Sequence, residues 1–182
     1  PGASLRAELF GGQVRADLHR NGTFDLTASN LMLDLPLPLQ GGSTAQLTGL
    51  LRQASAQSSH VPLQKDSEST LQLVLEKAKL SGVAGLQPLQ LGTIRIQATG
   101  KGRVLQVTTL TAEGGDFTLN GKGRFVLGKD IPTSRVNLSV TISPTPQTDP
   151  TLVSLLELAS RKGANGATEL RISGSLARPS LR

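Results

Sequence analysis

The stretch "GGDFTLNGKGRFVLG", Gly114–Gly128, alternates between apolar and polar residues through its centre. Its odd-numbered positions carry Phe117, Leu119, Gly121, Gly123, Phe125 and Leu127, and Thr118, Asn120, Lys122 and Arg124 lie between them. This period of two predicts a half-buried β-strand that passes straight through Gly-Lys-Gly. Two glycines on the apolar face allow the strand to bend or a neighbour to approach closely. The competing interpretation is a hairpin turn, since Asn-Gly is a strong turn signal.

A second Gly-Lys-Gly-Arg lies earlier, in "TGKGRV", Thr99–Val104, and there the pattern changes step. The apolar residues are even-numbered up to Ala98 and odd-numbered from Leu105. This predicts a turn in which Gly100 and Gly102 supply unusual backbone angles. A phosphate-binding loop needs Ser or Thr after its lysine and a helix behind it, whereas both copies continue with Gly-Arg and neither is followed by a helical pattern. Neither copy is therefore predicted to bind phosphate. The lysines and arginines of both copies are predicted to face water.

The same alternation recurs along most of the chain and predicts a mainly β fold. We expect a curved, mostly antiparallel sheet, built as an open β-groove or a partial barrel or sandwich. "RNGT", Arg20–Thr23, predicts a type I′ hairpin turn, and a slip near Gly92 predicts a bulge. Residues 31–39 place leucines on one face with Pro36 and Pro38 on the other, which predicts an edge strand or extended coil. Further strands are expected at 43–52, about 71–79, 104–112, 116–127, 134–143 and near the C terminus.

Two segments depart from this alternation. Residues 53–69, "QASAQSSHVPLQKDSES", are small and polar and contain Pro62, which predicts a flexible loop inserted in a single domain, 1–182. A weak split into two lobes at this loop remains the alternative. Residues 149–162 predict one amphipathic helix, with Thr148 or Asp149 as N-cap and Gly163 as the residue after its end. Its apolar stripe, predicted to cap an open end of the sheet, comprises Leu152, Leu155, Leu156 and Ala159.

The composition excludes several classes of function. The 182 residues include four Phe but no Tyr, Trp or Cys, so disulfides, thiol catalysis and cysteine metal sites are absent. The net charge is +6, but the basic residues are scattered and no aromatic run is available to stack on bases, so no nucleic-acid partner is predicted. No run of 18 apolar residues predicts a membrane-spanning helix. The sequence begins at Pro1 without an initiator Met, and we expect that an anchor or targeting segment can precede it.

No catalytic, cofactor-binding or metal-binding residues are predicted, and the chain is not expected to be an enzyme. His19 lies on the polar side of its strand and His60 in the loop, without an acidic cluster that would complete a metal site. Asp34, Glu76 and Asp116 are isolated carboxylates, whereas a catalytic site needs an acid, a base and a nucleophile that support one another.

Three stretches together resemble a known family. They are "GGDFTLNGKGRFVLG", the preceding "IRIQATGKGRVLQVTTLTAEGG" and the ending "LRISGSLARPSLR", in which Gly174, Ser175, Leu176 and Pro179 match a Gly-(Ser/Thr)-Leu-x-x-Pro ending. "LFGGQVRADLHRNGTFDLTASNLMLDLPLPL" and "LTGLL" support the same likeness. The chain resembles the AsmA-like group of periplasmic β proteins, and within it the type II secretion system protein N family. The likeness covers most of the chain apart from residues 53–69.

This resemblance implies a periplasmic domain tethered to the inner membrane by an N-terminal helix outside the given sequence. It implies a non-enzymatic accessory component of the type II protein secretion system, which contacts other envelope components through its strand edges. The candidate edges are the Leu31–Leu39 segment and the final strand, because an exposed edge can accept a strand from a partner. The alternative is an envelope lipid-binding or lipid-transfer domain, in which an aliphatic groove holds acyl chains. Neither function implies a cofactor.

Overall fold

The structure is a computed structural model that describes residues 2–38, 42–83, 85–130, 133–159, 161–162, 167–175 and 177–181. Its strands are β1 Ala3–Leu9, β2 Gly12–Leu18, β3 Phe24–Pro38, β4 Thr44–Ser58, β5 Glu68–Ser81, β6 Leu89–Lys101, β7 Val104–Glu113, β8 Phe117–Val126, β9 Arg135–Pro144, β10 Arg161–Lys162, β11 Thr168–Ser175 and β12 Arg178–Leu181. The helix α1 spans Pro150–Ala159, between β9 and β10. The protein is therefore mainly β, as the alternation predicts.

All these strands belong to one antiparallel sheet. From β1 to β9 each strand pairs with the next one in sequence, β11 follows β9, and β10 and β12 both pair with β11. The sheet is open, since among the described residues β1 pairs only with β2 and no strand closes a barrel. Short hairpins explain this order, because antiparallel neighbours need only a tight turn between them.

One face of the sheet is apolar from end to end. The register aligns apolar side chains across successive strands, as in the row Leu31, Leu51, Leu75, Ile94, Ala112, Leu119 and Ile142. Two clusters form the core: one contains Leu31, Leu51, Leu75 and Ala78, and the other contains Leu89, Phe117, Val140, Ile142 and Leu152. Burial of these side chains is the main stabilising contribution to such a fold.

A crease crosses the sheet where four neighbouring strands change step at one level. Asn30 in β3 and Lys77 in β5 have φ angles of 57° and 51°, and Gly92 in β6 has a φ angle of 72°. The pairing of β4 with β5 shifts register on both sides of this level. The guanidinium of Arg52 bridges the crease on the polar face, donating to Asn30 Oδ1 at 3.0 Å and to Glu76 Oε2 at 2.8 Å. Because bulges bend and twist strands, the crease curves the sheet.

The two Gly-Lys-Gly-Arg copies adopt the predicted, different structures. Residues 117–126 are one straight strand, so the interpretation of Asn120–Gly123 as a hairpin turn is wrong. In the first copy, Lys101 pairs with Val104 across the two-residue turn Gly102-Arg103, and Gly102 has a φ angle of 59°. Gly100, however, lies in β6 outside the positive-φ region, so only one of the two predicted glycines shapes the turn.

The predicted loop at 53–69 is wrong at both ends. Residues 53–58 continue β4 and residues 68–69 begin β5, so the connection spans only residues 59–67. The small side chains of Ala54 and Ala56 lie opposite Ala28 and Leu26 on the apolar face. The alternation of alanine with Ser and Gln is therefore a true strand pattern.

The predicted helix is confirmed, with an earlier end. It stops at Ala159, because Arg161 and Lys162 pair with β11 as the short strand β10. Gly163, the expected residue after the helix, lies outside the described residues, as do the side chains of Leu155, Leu156 and Ala159. Leu152 alone of the predicted stripe is described, and its side chain packs in the core as expected.

The turn at Arg20–Thr23 is present but is not type I′. Gly22 has a φ angle of 85° and donates its N–H to His19 O at 2.9 Å, whereas Asn21 has no positive φ angle. This is a type I turn closed by a glycine bulge. The type I′ geometry occurs instead between β1 and β2, where Phe10 and Gly11 have φ angles of 50° and 79°.

Candidate binding groove

An apolar cavity of about 580 Å³ lies against the apolar face of the sheet. Strands β3 to β9 all contribute side chains, and the connection 59–67 adds two more. The apolar lining residues are Phe24, Ala56, Val61, Leu63, Leu71, Ile96, Ala98, Leu105, Val107, Leu110, Phe125, Leu127, Val136 and Leu138. Ligand pockets for small molecules commonly have volumes of about 300–1,000 Å³ and mostly apolar walls.

The lining requires that the sheet be concave on this side. Phe24 in β3 and Leu138 in β9 border the same cavity, although six strand spacings separate their strands. In a flat sheet that separation would be about 29 Å. Because one cavity touches both strands, we infer that the sheet bends toward it and that the apolar face lines a groove.

The connection 59–67 covers one end of the groove. Val61 donates its N–H to Gly22 O at 2.7 Å, and Gly102 donates its N–H to Ser67 O at 2.7 Å. Ser67 is fully buried, and its Oγ accepts a hydrogen bond from Gln64 N at 2.7 Å. These bonds fix the connection to two hairpin turns of the sheet, so that Val61 and Leu63 reach the cavity wall.

Helix α1 lies at the other end of the apolar face, where Leu152 packs against Leu89 and Phe117. Asp149 is the N-cap: its Oδ1 accepts the N–H of Thr151 at 2.7 Å, and this bond lowers the pKa of the Asp149 carboxyl. Thr148 stabilises the preceding turn, because its Oγ1 accepts the N–H of Thr145 at 2.7 Å.

The isolated carboxylates and histidines of the sequence are not brought together. Glu76 pairs with Arg52, and that hydrogen bond lowers the pKa of the Glu76 carboxyl. Asp116 accepts the N–H of Gln90 at 2.7 Å, and His19 lies 3.2 Å from Asp25. In the part of the chain that the structure describes, no three His, Asp or Glu side chains are grouped so as to hold a metal ion.

The opposite face of the sheet is polar. The basic residues of both Gly-Lys-Gly-Arg copies are exposed there or at the turn, as predicted. Lys122, Arg124 and Arg171 line a shallow depression of β8, β9 and β11, with Asn137 and Ser139 between them. Among the described residues none of these three cations lies within 4.0 Å of a carboxylate.

Of the two predicted strand edges, the one at residues 31–38 is present. The last predicted strand is β11, which pairs with β9 on one side and with β10 and β12 on the other, so the short strand β12 forms that edge instead. β2 pairs with residues 24–29 of β3, and residues 31–38 pair with β4 on one side only. Met32 directs its N–H away from β4 and donates it to Phe10 O at 3.2 Å. Pro36 has the same orientation as Met32 but no N–H, so it removes one hydrogen-bond donor from this edge. Within the described residues, β12 pairs with β11 alone. Leu39 lies outside the described residues.

The fold and the groove define the described part of the chain as an open antiparallel β domain with one apolar face. No family model, no curated protein and no solved structure matches it. Within the described residues, no helix is both long and apolar enough to cross a bilayer.

Proposed function

We propose that this chain is a non-enzymatic binding module whose ligand is the acyl chain of an envelope lipid. The carrying observation is the cavity on the apolar face, with fourteen apolar side chains among its eighteen lining residues. The four polar ones, Gln57, Ser58, Ser69 and Thr70, belong to β4 and β5 at the end nearest the connection 59–67. An acyl chain would bury its methylenes along the groove and keep its polar group near the hydroxyls of Ser58 and Ser69, which lie on the same face as Ala56 and Leu71.

The direct test is native mass spectrometry of the 182-residue chain, purified without detergent. We expect adducts with the masses of fatty acids or phospholipids, released by organic extraction. Titration with a fluorescent fatty acid should then show saturable binding to the delipidated protein. An empty protein that also shows no saturable binding would refute the proposal.

A pair of variants places the ligand. Ala56 is half-buried and lines the cavity, so Ala56→Phe fills part of the space and should weaken fatty-acid binding at least about tenfold. Ser55 is its neighbour on the polar face, and Ser55→Phe adds a similar apolar volume outside the groove. Equal effects of the two substitutions, or none, would show that the fatty acid binds elsewhere.

The second candidate is an accessory role in the type II secretion system, in the periplasm at the inner membrane. The free edge β12 favours it, because a partner strand can be added there. A photoreactive residue in place of Ser180 in β12 should crosslink to another component of the assembly in secreting cells. The same probe at Thr27, exposed in the interior of the sheet, is the control. Crosslinks at both positions or neither would contradict this role while leaving the lipid proposal intact.

A further inference from the structure

The first strand, β1, is an open edge among the described residues and lacks the Pro, Lys and bulges that protect many such edges. Its residues from Ala3 to Leu9 contain neither Pro nor Lys, and the described pairing with β2 is continuous, without a bulge. Leu9 pairs with Gly12 across a two-residue turn, so the odd-numbered residues direct their N–H and C=O groups toward β2. Arg6 and Glu8 therefore present theirs outward. An edge of this kind is a template for another strand.

Within the described residues, the charged side chains of β1 have no ion-pair partner. Arg6 lies directly opposite Arg15, whose Nε is already 2.6 Å from Asp17 Oδ2. Among the described residues, no ion pair within 4.0 Å involves Arg6 or Glu8. Like charges opposite each other in a sheet are unfavourable, and opposite charges are favourable.

The apolar face is also least covered at this end. Leu5, Leu9 and Phe10 are 63%, 48% and 75% exposed. Leu5 and Leu9 lie on the apolar face directly at the free edge of β1. Exposed apolar side chains at a free edge favour an interaction there.

The sequence of β1 is complementary to itself. If two copies pair antiparallel about Ala7, then Arg6 of each stands opposite Glu8 of the other, and Leu5 stands opposite Leu9. In this register the outward N–H and C=O groups of Arg6 in one copy form hydrogen bonds with those of Glu8 in the other. We propose that two copies of this chain pair through β1 in this register and form a twofold dimer with one continuous sheet.

The dimer follows from the symmetry of the pairing. A twofold axis that passes through Ala7 perpendicular to the sheet keeps the apolar faces of both copies on the same side of the joined sheet, so that they form one continuous apolar face. Two Arg6–Glu8 ion pairs and four backbone hydrogen bonds form across the axis. The proposal does not depend on what the groove binds.

Sedimentation velocity with interference optics tests the proposal, since the chain has no Tyr or Trp to absorb at 280 nm. We expect a species of twice the 19.0 kDa monomer mass that dissociates on dilution. Glu8→Arg and Arg6→Glu each turn two attractive pairs into repulsive ones, and each should raise the dimer dissociation constant about tenfold or more. The double variant R6E/E8R restores opposite charges and should restore the dimer.

Glu113→Arg is the matched control, because Glu113 is an exposed acid in β7 and its replacement changes the net charge by the same amount as Glu8→Arg. It should leave the dissociation constant unchanged. A monomeric wild-type protein at every concentration would overturn the proposal and assign the edge to another occupant or to none. A dimer that survives Glu8→Arg, or one that the double variant does not recover, would also overturn it.

Discussion

Gly123→Ala is a substitution for which the structure predicts a large loss of stability. Gly123 lies in β8 opposite Leu138 of β9, on the apolar face. A Cβ added there would lie 2.1 Å from the backbone oxygen of Asn137 and 2.8 Å from Leu138 Cα. Since both atoms belong to the main chain of the neighbouring strand, no side-chain rotation relieves the contact. The two strands must separate or β8 must twist locally.

The other glycine of the same tetrapeptide is the control. A Cβ at Gly121 would lie 2.9 Å from Leu110 Cδ2 and 3.2 Å from Val140 Cγ2. These are side-chain methyl groups, and small movements accommodate the added atom. Overpacking against rigid neighbours costs about 3 kcal/mol at the upper end of the usual range, and we expect this for Gly123→Ala. For Gly121→Ala we expect about 1 kcal/mol or less, because the lower entropy of the unfolded chain offsets part of the crowding.

Urea unfolding followed by circular dichroism measures both effects. With a slope of about 2 kcal/mol per molar urea, Gly123→Ala should lower the midpoint by about 1.5 M and Gly121→Ala by about 0.5 M or less. The slope itself should not change. Equal midpoints for the two variants would refute the argument that the backbone of β9 approaches Gly123 too closely for a side chain.

Three further predictions concern the helix, one edge and the crease. Asp149→Ala should lower the urea midpoint at neutral pH, and Asp149→Asn should largely preserve it. Because the pKa of the Asp149 carboxyl is depressed in the folded state, its stabilisation is present above about pH 4 and is lost as pH falls through the folded-state pKa. A difference between wild type and Asp149→Ala that does not depend on pH would contradict this. Pro36→Val adds an outward N–H to the free half of β3, so the variant should aggregate and scatter more light on storage. Pro88→Val, which lies outside the strands, should not. Equal scattering by the two variants would argue against edge protection by Pro36. Arg52→Gln should raise the pKa of Glu76 toward its ordinary value in a carboxyl NMR titration, with Lys101→Gln as control, and an unchanged pKa would show that Arg52 does not hold this carboxylate in solution.

The side-chain alternation predicted the strands well because it follows directly from the geometry of the pleat. The unbroken step through Gly121 and Gly123 indicated a straight β8, and the change of step between Ala98 and Leu105 indicated a turn. The straight strand and the turn are both local properties of the sequence. When one face of a strand is exposed, the alternation of its own residues shows which face is buried.

The errors arose where side chains were small or unusual for their backbone. Ala54 and Ala56 contribute little apolar area, so the end of β4 resembled a loop. Phe10 adopts a positive φ angle that its side chain disfavours, so no residue preference indicated the type I′ turn before Gly12. Asn21-Gly22 did indicate a turn, but dipeptide preference did not determine its type.

The groove could not be located from the sequence. Phe24 and Leu138 face the same cavity because the sheet curves over seven strands, and the curvature depends on bulges in several of them at one level. A slip near Gly92 was detectable in the sequence, whereas the matching irregularities at Asn30 and Lys77 have no comparable pattern. The self-complementarity of β1 was present in the sequence, but it gained meaning only when β1 proved to be an edge.

The order of the strands has a consequence for how the protein loses structure. Because each strand from β1 to β8 pairs, among the described residues, only with its neighbours in sequence, the meander behaves like a chain of linked units with nearest-neighbour coupling. Among the described residues, the β1–β2 hairpin pairs with residues 24–29 of β3, and Met32 N–H adds one further bond to Phe10 O, so the hairpin can open while the other strands stay folded. Amide hydrogen exchange should therefore be fastest there and slow progressively toward the middle of the sheet, in a gradient that follows the sequence.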